Sequence, residues 1–170
     1  LGYEPKITSD PAEVLAAQAV ILPGVGAPAD AMFNLTSRGL DDTIRRLIEE
    51  DRPLLGVCLG LQLLLNDTEE DGGHECLGIF PGRVHKLPAG LKIPHMGWNQ
   101  VKQKTTHPIF EGVPDEANFY FVHSYYAEPD DKSFIIGETE YGIRFCSVLA
   151  RGNLVATQFH PEKSGDIGLK

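Results

Sequence analysis

The thirteen residues from Pro53 to Leu65, PLLGVCLGLQLLL, constrain the fold more than any other stretch of the chain. Residues 54–57 form a short apolar run that is typical of a strand buried on both faces, and residues 61–65 continue as a helix-like segment. Between them, GVCLG matches the strand-to-helix elbow G-x-nucleophile-x-G, with cysteine where hydrolases carry serine. The pattern therefore predicts a buried strand that ends in a tight turn into a helix.

Cys58 lies at the tip of this elbow, where Gly56 and Gly60 leave room for a turn that pushes its sulfur outward. Unpaired N–H groups and the positive end of a helix dipole lower the pKa of a thiol beside them. We therefore expect a nucleophilic cysteine with a lowered pKa. The pentapeptide is short, and from these residues alone a buried structural cysteine between two helix-packing glycines is the alternative.

A nucleophilic cysteine needs a base, and His160 is the candidate. Residues 154–159 (LVATQF) form a strand-like run, and His160-Pro161-Glu162 follows at its end, where proline stops the ladder. Glu162 is placed to accept the proton of the far ring nitrogen and hold the tautomer that a base requires. Taken alone, His160 would be interpreted as a capping residue, but together with the elbow the order Cys, His, Glu favours a catalytic triad.

Composition excludes several classes of protein. A chain of 170 residues is long enough for one domain with a sizeable core, and its three cysteines, an odd number with no close pair, suggest neither a disulfide scaffold nor a metal site. The formal charge of −9 without a Lys/Arg block argues against a nucleic-acid partner. No apolar run approaches the roughly 18 residues of a membrane span and no signal peptide is visible, so we expect a cytoplasmic protein without membrane or cofactor.

Coarser patterns predict the other elements. A cap at Asp10, a proline at position 11 and Glu13 indicate a short helix to about Ala17, and apolar spacing indicates a helix over residues 40–50. An acidic loop is predicted at 66–75. Strands are predicted at 19–22, 84–87, 99–101, 119–122 and 134–138, with a hairpin of 145–149 and 154–159.

Three stretches, PGVGAP, GVCLGLQLL and QFHPEKSG, resemble the signature sequences of class I glutamine amidotransferases, the cysteine-triad family. Two more, IPHMGWN at 93–99 and YFVHSY at 120–125, resemble the branch of that family that serves a cyclase of histidine biosynthesis. The resemblance covers nearly the whole chain, and PHMGWN is its most specific part.

The resemblance implies an α/β fold with three layers, in which a mainly parallel central sheet has helices on both faces and a small antiparallel part. Residues 1–170 would form a single glutamine amidotransferase domain. We expect that domain to lack the first strand and helix of the family and the end of the last helix.

The resemblance also implies a glutaminase that hydrolyses L-glutamine and passes ammonia to a (β/α)₈ cyclase subunit. The catalytic residues would be Cys58, His160 and Glu162, and the backbone N–H groups of Val25, Gly26 and Leu59 would form the oxyanion hole. Substrate contacts would come from Gln62, Glu70, His123, Ser124 and Tyr125. The partner interface would include Pro94, Met96, Trp98, Asn99, Tyr120 and Lys163. No metal is implied.

Two other functions stay open at this stage. A non-catalytic relative with an exposed, low-pKa Cys58 would act as a redox sensor, although it would need neither the His160-Pro-Glu162 sequence nor Gln62. A glutaminase of another synthase, such as one that makes anthranilate, guanylate or pyridoxal phosphate, would retain the triad but not the PHMGWN stretch.

Overall fold

The computed structural model describes residues 2–170, and Leu1, the first residue of the predicted domain, lies outside them. The helices are α1 Pro11–Ala16, α2 Pro28–Ser37, α3 Leu40–Glu49, α4 Leu59–Gln62 and α5 Gly165–Gly168. The strands are β1 Val20–Gly24, β2 Leu54–Cys58, β3 Asp67–Thr68, β4 His74–Glu75, β5 Gly82–Lys86, β6 His95–Gln103, β7 Ala117–His123, β8 Tyr125–Pro129, β9 Ile135–Tyr141, β10 Ile143–Arg151 and β11 Leu154–Thr157.

A mixed sheet forms the centre of the fold, which confirms the predicted α/β class. Strands β1, β2 and β11 are parallel neighbours, and β10 pairs with β11 as the predicted hairpin, with Val148 opposite Thr157. Beyond it, β8 and β5 continue the sheet in antiparallel pairing, and β9 and β6 branch from β10. The antiparallel part is thus larger than predicted, because most connections after residue 82 are too short for the helical crossovers that parallel strands need.

The two faces of the parallel strands are covered differently. Leu54 and Leu154 pack into a cluster with residues of α3 and α4, whereas Leu55 and Val155 face the aromatic residues of β7. The prediction of helices on both faces is therefore only partly right: a β6–β7 ribbon covers much of the second face, and α5 adds Ile167 to it. Alternation along each strand explains how neighbouring residues serve opposite cores.

Several local predictions need correction. Helix α2 was not predicted, since it has no capping side chain and its start is marked only by Pro28 at the first turn. Strand β8 was also missed, and β1 extends to Gly24 with its Ile21 side chain exposed. At α1, Asp10 caps the helix as predicted, but Glu13 bonds Lys6 and Thr8 instead of closing a capping box.

The helix after the elbow also ends sooner than the leucine run suggested. It stops at Gln62, because the chain at 77–80 folds back and donates its N–H groups to the carbonyl oxygens of residues 63–65. Those carbonyl groups therefore accept hydrogen bonds from a neighbouring segment instead of from the next helical turn. All five leucines between residues 59 and 65 are buried although the helix ends at Gln62. Hydrophobicity alone could therefore not distinguish a short helix from a long one.

Three glycines allow the elbow to pack tightly. A Cβ atom on Gly60 would overlap the carbonyl oxygen of Leu22 in β1, and one on Gly56 would lie 3.0 Å from the carbonyl oxygen of Gly60. A Cβ on Gly24 would likewise meet Leu59. The glycines therefore serve close approach between β1, β2 and α4, and this places the end of β1 against the turn that carries Cys58.

Gly60→Ala should destabilise the protein by at least about 2 kcal/mol, because the added methyl group has no space beside the Leu22 backbone. The measurement is urea unfolding. Gly39→Ala is a suitable control, since Gly39 has φ 67° but open space around it, and we expect a cost of only about 1–2 kcal/mol there from backbone strain. A smaller cost at position 60 than at position 39 would contradict the packing argument.

Candidate active site

The carboxyl ends of the three parallel strands gather the predicted catalytic groups. Gly24, the last residue of β1, lies opposite Cys58, the last residue of β2, and Thr157 of β11 lies opposite Val57. Val25, Leu59 and the segment from Gln158 to His160 therefore leave the sheet at the same edge. Ligand sites in α/β sheets form at this edge, where loops leave neighbouring parallel strands.

Cys58 adopts the strained backbone of a nucleophile elbow. Its φ of 54° and ψ of −107° are unusual for a residue with a side chain, and the tight turn between β2 and α4 imposes them. The thiol is buried and lies 3.9 Å from the carbonyl oxygen of Val122. The side-chain amide of Gln158 donates toward Sγ at 3.8 Å, and the backbone N–H of Leu59 also points to the sulfur.

The prediction of a lowered thiol pKa is wrong for this structure. Burial, with a smaller contribution from the nearby Glu162 carboxylate, raises the pKa of Cys58 to about 11. The Leu59 N–H, the Gln158 amide and the Lys163 charge act in the opposite direction but do not compensate. The sequence showed the helix start but not the depth at which the thiol lies. Cys58 is therefore a neutral thiol near pH 7.

The predicted base and its orienting carboxylate are paired. His160 is buried, and its Nδ1 lies 2.8 Å from Oε1 of the largely exposed Glu162. The His160 backbone donates to the carbonyl of Tyr120 in β7, and Ser164 bonds both His160 and Tyr120. Among residues 2–170 no hydrogen bond joins the His160 ring to Cys58. Catalytic hydrogen bonds are commonly long in substrate-free enzymes and tighten when substrate binds.

The three predicted oxyanion donors lie near this turn. The Leu59 N–H is directed at the Cys58 sulfur, and Val25 follows Gly24, the residue opposite Cys58. The Val25 side chain is 84% exposed, and Gly26 has φ 91°, a conformation that favours glycine. Within the described part of the chain, the N–H groups of Val25 and Gly26 have no protein acceptor.

The five predicted substrate residues lie near one another. Gln62 donates its amide to the carbonyl of Tyr125 at 2.9 Å, and His123 Nδ1 contacts the same carbonyl at 2.8 Å. Glu70 is close enough to raise the pKa of the Tyr125 hydroxyl, after burial as the larger cause, and burial also raises the pKa of Glu70 itself. The carbonyl of Ser124 accepts the N–H of Leu87, which pins the loop between β7 and β8.

The predicted interface residues fall into two groups. Met96 and Trp98 are 61% and 58% exposed on the outer face of β6, and the Trp98 ring meets the Tyr120 ring edge-on at 6.0 Å. Pro94 and Lys163 are also exposed. Asn99 instead points inward, with its amide on the carbonyl of Glu140 and on the His95 ring.

Comparison with known proteins identifies the family. The sequence profile described as glutamine amidotransferase class-I matches residues 4–168. This chain belongs to that family. It is 58% identical over 170 residues to the imidazole glycerol phosphate synthase subunit HisH of Dehalococcoides mccartyi (strain CBDB1), covering all of this chain and 83% of that protein. The HisH subunit of Moorella thermoacetica is 53% identical, again over all of this chain and 81% of its own length.

Solved structures support the same fold. A glutamine amidotransferase crystal structure superposes with a TM-score of 0.74 at 20% identity, covering 99% of this chain and 83% of the other. A glutamine amidotransferase from Thermotoga maritima gives a TM-score of 0.62 at 19% identity, covering 84% of this chain and 55% of the other. At these identities the likeness concerns the fold alone.

Two residues of this amidotransferase site were not singled out from the sequence. Gln158 is fully buried beside Cys58, and His95 is buried against His123 with the ring nitrogens 2.9 Å apart. The sequence offered a signal for Gln158, because an amide directly after the apolar run 154–157 needs a hydrogen-bond partner if it is buried, but none for His95, whose strand is mixed in polarity. The sequence could not show which partner.

Residues 2–170 contain no group of three or more His, Cys, Asp or Glu side chains arranged to hold a metal ion. None of the helices described here is both long enough and apolar enough to cross a membrane.

Alkylation of Cys58 by iodoacetamide should become about tenfold faster per pH unit between pH 7 and 10, because only the thiolate reacts and its pKa lies near 11. Mass spectrometry of the peptide that contains Cys58 separates it from Cys76 and Cys146. A rate that levels off below pH 8 would mean that the thiol pKa is lowered, as the elbow alone suggested.

Proposed function

We propose that this chain is the glutaminase subunit of an imidazole glycerol phosphate synthase. It would hydrolyse L-glutamine to glutamate and ammonia, and a cyclase subunit would use the ammonia to form imidazole glycerol phosphate and aminoimidazole carboxamide ribotide. The observation that carries this proposal is the 58% identity to a HisH subunit over the whole chain. The Cys58 elbow and the pairing of His160 with Glu162 agree with it.

In the proposed reaction, His160 accepts the Cys58 proton as the sulfur attacks the amide carbon of glutamine. The His160–Glu162 contact holds a proton on Nδ1, so that Nε2 is the basic nitrogen. Backbone N–H groups of Leu59 and of the Val25–Gly26 turn stabilise the oxyanion. His160 then protonates the departing ammonia, and water hydrolyses the glutamyl thioester.

The surroundings of the nucleophile suggest how glutamine is held. Both N–H groups of the Gln62 amide are used inside the protein, by Tyr125 and Gln158, which leaves its carbonyl oxygen for the substrate. Glu70 would receive the amino group of glutamine, with His123, Ser124 and Tyr125 lining the same side. A carboxylate with a raised pKa gains most from an ammonium partner, because the positive charge offsets its desolvation.

The exposed outer face of the β6–β7 ribbon is the proposed docking surface for the cyclase. Met96 and Trp98 lie two residues apart on this face, with Tyr120 opposite Trp98, and adjacent exposed apolar side chains commonly mark a protein interface where single ones do not. A (β/α)₈ cyclase bound here would form a heterodimer and receive ammonia away from bulk water, where ammonia is protonated. In this proposal the assembly works in the cytoplasm, and its overall reaction is that of a lyase.

A redox-sensing function is less well supported. Sensor cysteines are exposed and have a lowered pKa, whereas Cys58 is buried and its pKa is raised.

Cys58→Ser should abolish glutamine hydrolysis without unfolding the protein, because a hydroxyl is a much weaker nucleophile than a thiolate. Glutamate release is measured with the cyclase and its nucleotide substrate present. Cys76→Ser is the control, since Cys76 lies outside the site and should tolerate the change. Substantial glutamate release by Cys58→Ser would refute the catalytic assignment.

Trp98→Ala and Tyr120→Ala should each weaken binding of the cyclase by about tenfold or more, since aromatic anchors commonly carry interface energy. Titration calorimetry with the purified cyclase measures the dissociation constant. Ile109→Ala removes a similarly exposed apolar side chain elsewhere and should leave binding unchanged. Equal affinities for all three variants would place the interface on another surface.

A further inference from the structure

A chain of hydrogen bonds crosses the β6–β7 ribbon and ends at the Cys58 sulfur. It begins at Asn99, whose amide donates to the Glu140 carbonyl at 3.0 Å and lies 3.2 Å from Nε2 of His95. Nδ1 of His95 lies 2.9 Å from Nε2 of His123, and Nδ1 of His123 lies 2.8 Å from the Tyr125 carbonyl.

The second half of the chain runs through two glutamine side chains. The Gln62 amide donates to the Tyr125 carbonyl at 2.9 Å and to Oε1 of Gln158 at 3.1 Å. The Gln158 amide then donates to Sγ of Cys58 at 3.8 Å. Gln62, Gln158 and both histidines are buried, so water does not compete for these bonds.

The proton positions along this chain are fixed by its two ends. A carbonyl oxygen only accepts, so His123 must carry its hydrogen on Nδ1, and its Nε2 must accept from His95. His95 therefore also carries its hydrogen on Nδ1, and its Nε2 accepts from the Asn99 amide. The Asn99 oxygen in turn accepts the N–H of Gln100, which confirms the orientation of that amide.

Each bond in this sequence has one donor and one acceptor, and no tautomer is ambiguous. The two rings are also held by packing, since His95 stacks on Tyr141 with centroids 4.0 Å apart and on Phe121 at 5.0 Å. A buried network with every member satisfied restricts its side chains to one arrangement. The carbonyl of Val122, next to His123, also contacts this sulfur, at 3.9 Å.

We propose that Gln158 and His95 are positioning residues for the Cys58 nucleophile, with Gln158 holding the sulfur directly and His95 holding Gln158 through His123, the Tyr125 carbonyl and Gln62. This inference rests on the proposed function only in calling Cys58 a nucleophile, because the hydrogen bonds themselves do not depend on it. Gln158 also provides the side-chain N–H that stabilises the thiolate once the proton has left.

The first test measures alkylation of Cys58 by iodoacetamide between pH 7 and 10, in the full chain and in Gln158→Leu. The leucine removes a hydrogen bond to the charged thiolate, and this bond is weaker than most because sulfur is a poor acceptor. Its loss should lower the fraction of thiolate about tenfold. Greater nucleophilicity of the more basic thiolate offsets part of this, so we expect alkylation about threefold slower across the range. Glu162 and Lys163, the charged groups that act on the thiol, are the same in both proteins.

Gln100→Leu is the matched control, because Gln100 is exposed on β6 and its side chain forms no hydrogen bond within the described residues. It should alkylate at the wild-type rate. With glutamine, Gln158→Leu should lower kcat by several-fold and raise KM by less than that, since Gln62 loses one of its two partners but keeps the Tyr125 carbonyl. Alkylation of Gln158→Leu at the wild-type rate would overturn the proposal.

A second test does not depend on whether Gln158→Leu folds. Nitrogen-15 spectra of the histidine rings in the unmodified chain should show both His95 and His123 neutral and protonated at Nδ1 near pH 7. A ring protonated at Nε2 would break the chain and refute the role of His95. His95→Phe, which retains the ring stacking, should slow alkylation about twofold, whereas His85→Phe at the surface should not.

The alkylation assay separates this inference from the proposed function, because it requires no glutamine. Slow alkylation of Gln158→Leu in a protein that never hydrolyses glutamine would support the positioning role and refute the glutaminase. Glutamine hydrolysis that is lost in Cys58→Ser but unchanged in Gln158→Leu would support the glutaminase and refute the positioning role.

Discussion

The contact between Gly60 and the backbone of Leu22 is the constraint on which the rest of the site depends. Since Gly60 has no side chain, α4 begins directly against β1 and the turn after β2 can be tight. The tightness forces Cys58 to a φ of 54°, a conformation that costs free energy and that the surrounding strands must stabilise. Parallel strands on both sides of β2, the edge strand β1 and the buried strand β11, provide that support.

Burial of the elbow then determines the chemistry of the thiol. A sulfur next to a helix start and an amide donor would ionise easily in water, but removal from water outweighs both effects and keeps it neutral. In the proposed mechanism the thiolate therefore forms only when His160 accepts the proton in the presence of substrate. A neutral resting thiol is also protected from oxidation, which suits an enzyme better than a sensor.

Local features were predictable from the sequence because they depend on neighbouring residues. The elbow turn depends on its glycines, the end of the strand before His160 depends on Pro161, and helix α3 depends on its apolar spacing. Each of these signals lies within a few residues of the structure that it determines. The covering of the second sheet face by the β6–β7 ribbon and the early end of α4 were not predictable, since both depend on segments that return from elsewhere in the chain. The partners of Gln158 were not predictable for the same reason, because Gln62 and Cys58 are about 100 residues away in sequence.

The β6–β7 ribbon joins the proposed docking surface to the proposed catalytic site across the thickness of one strand layer. Along β6 the exposed Met96 and Trp98 alternate with the inward-facing His95 and Asn99, because strand side chains point to opposite faces in turn. A partner bound to the outer residues would therefore hold the backbone that also carries the start of the hydrogen-bonded chain to Cys58. Strand alternation is sufficient to bring the two surfaces into one rigid unit, and no separate linking element is required.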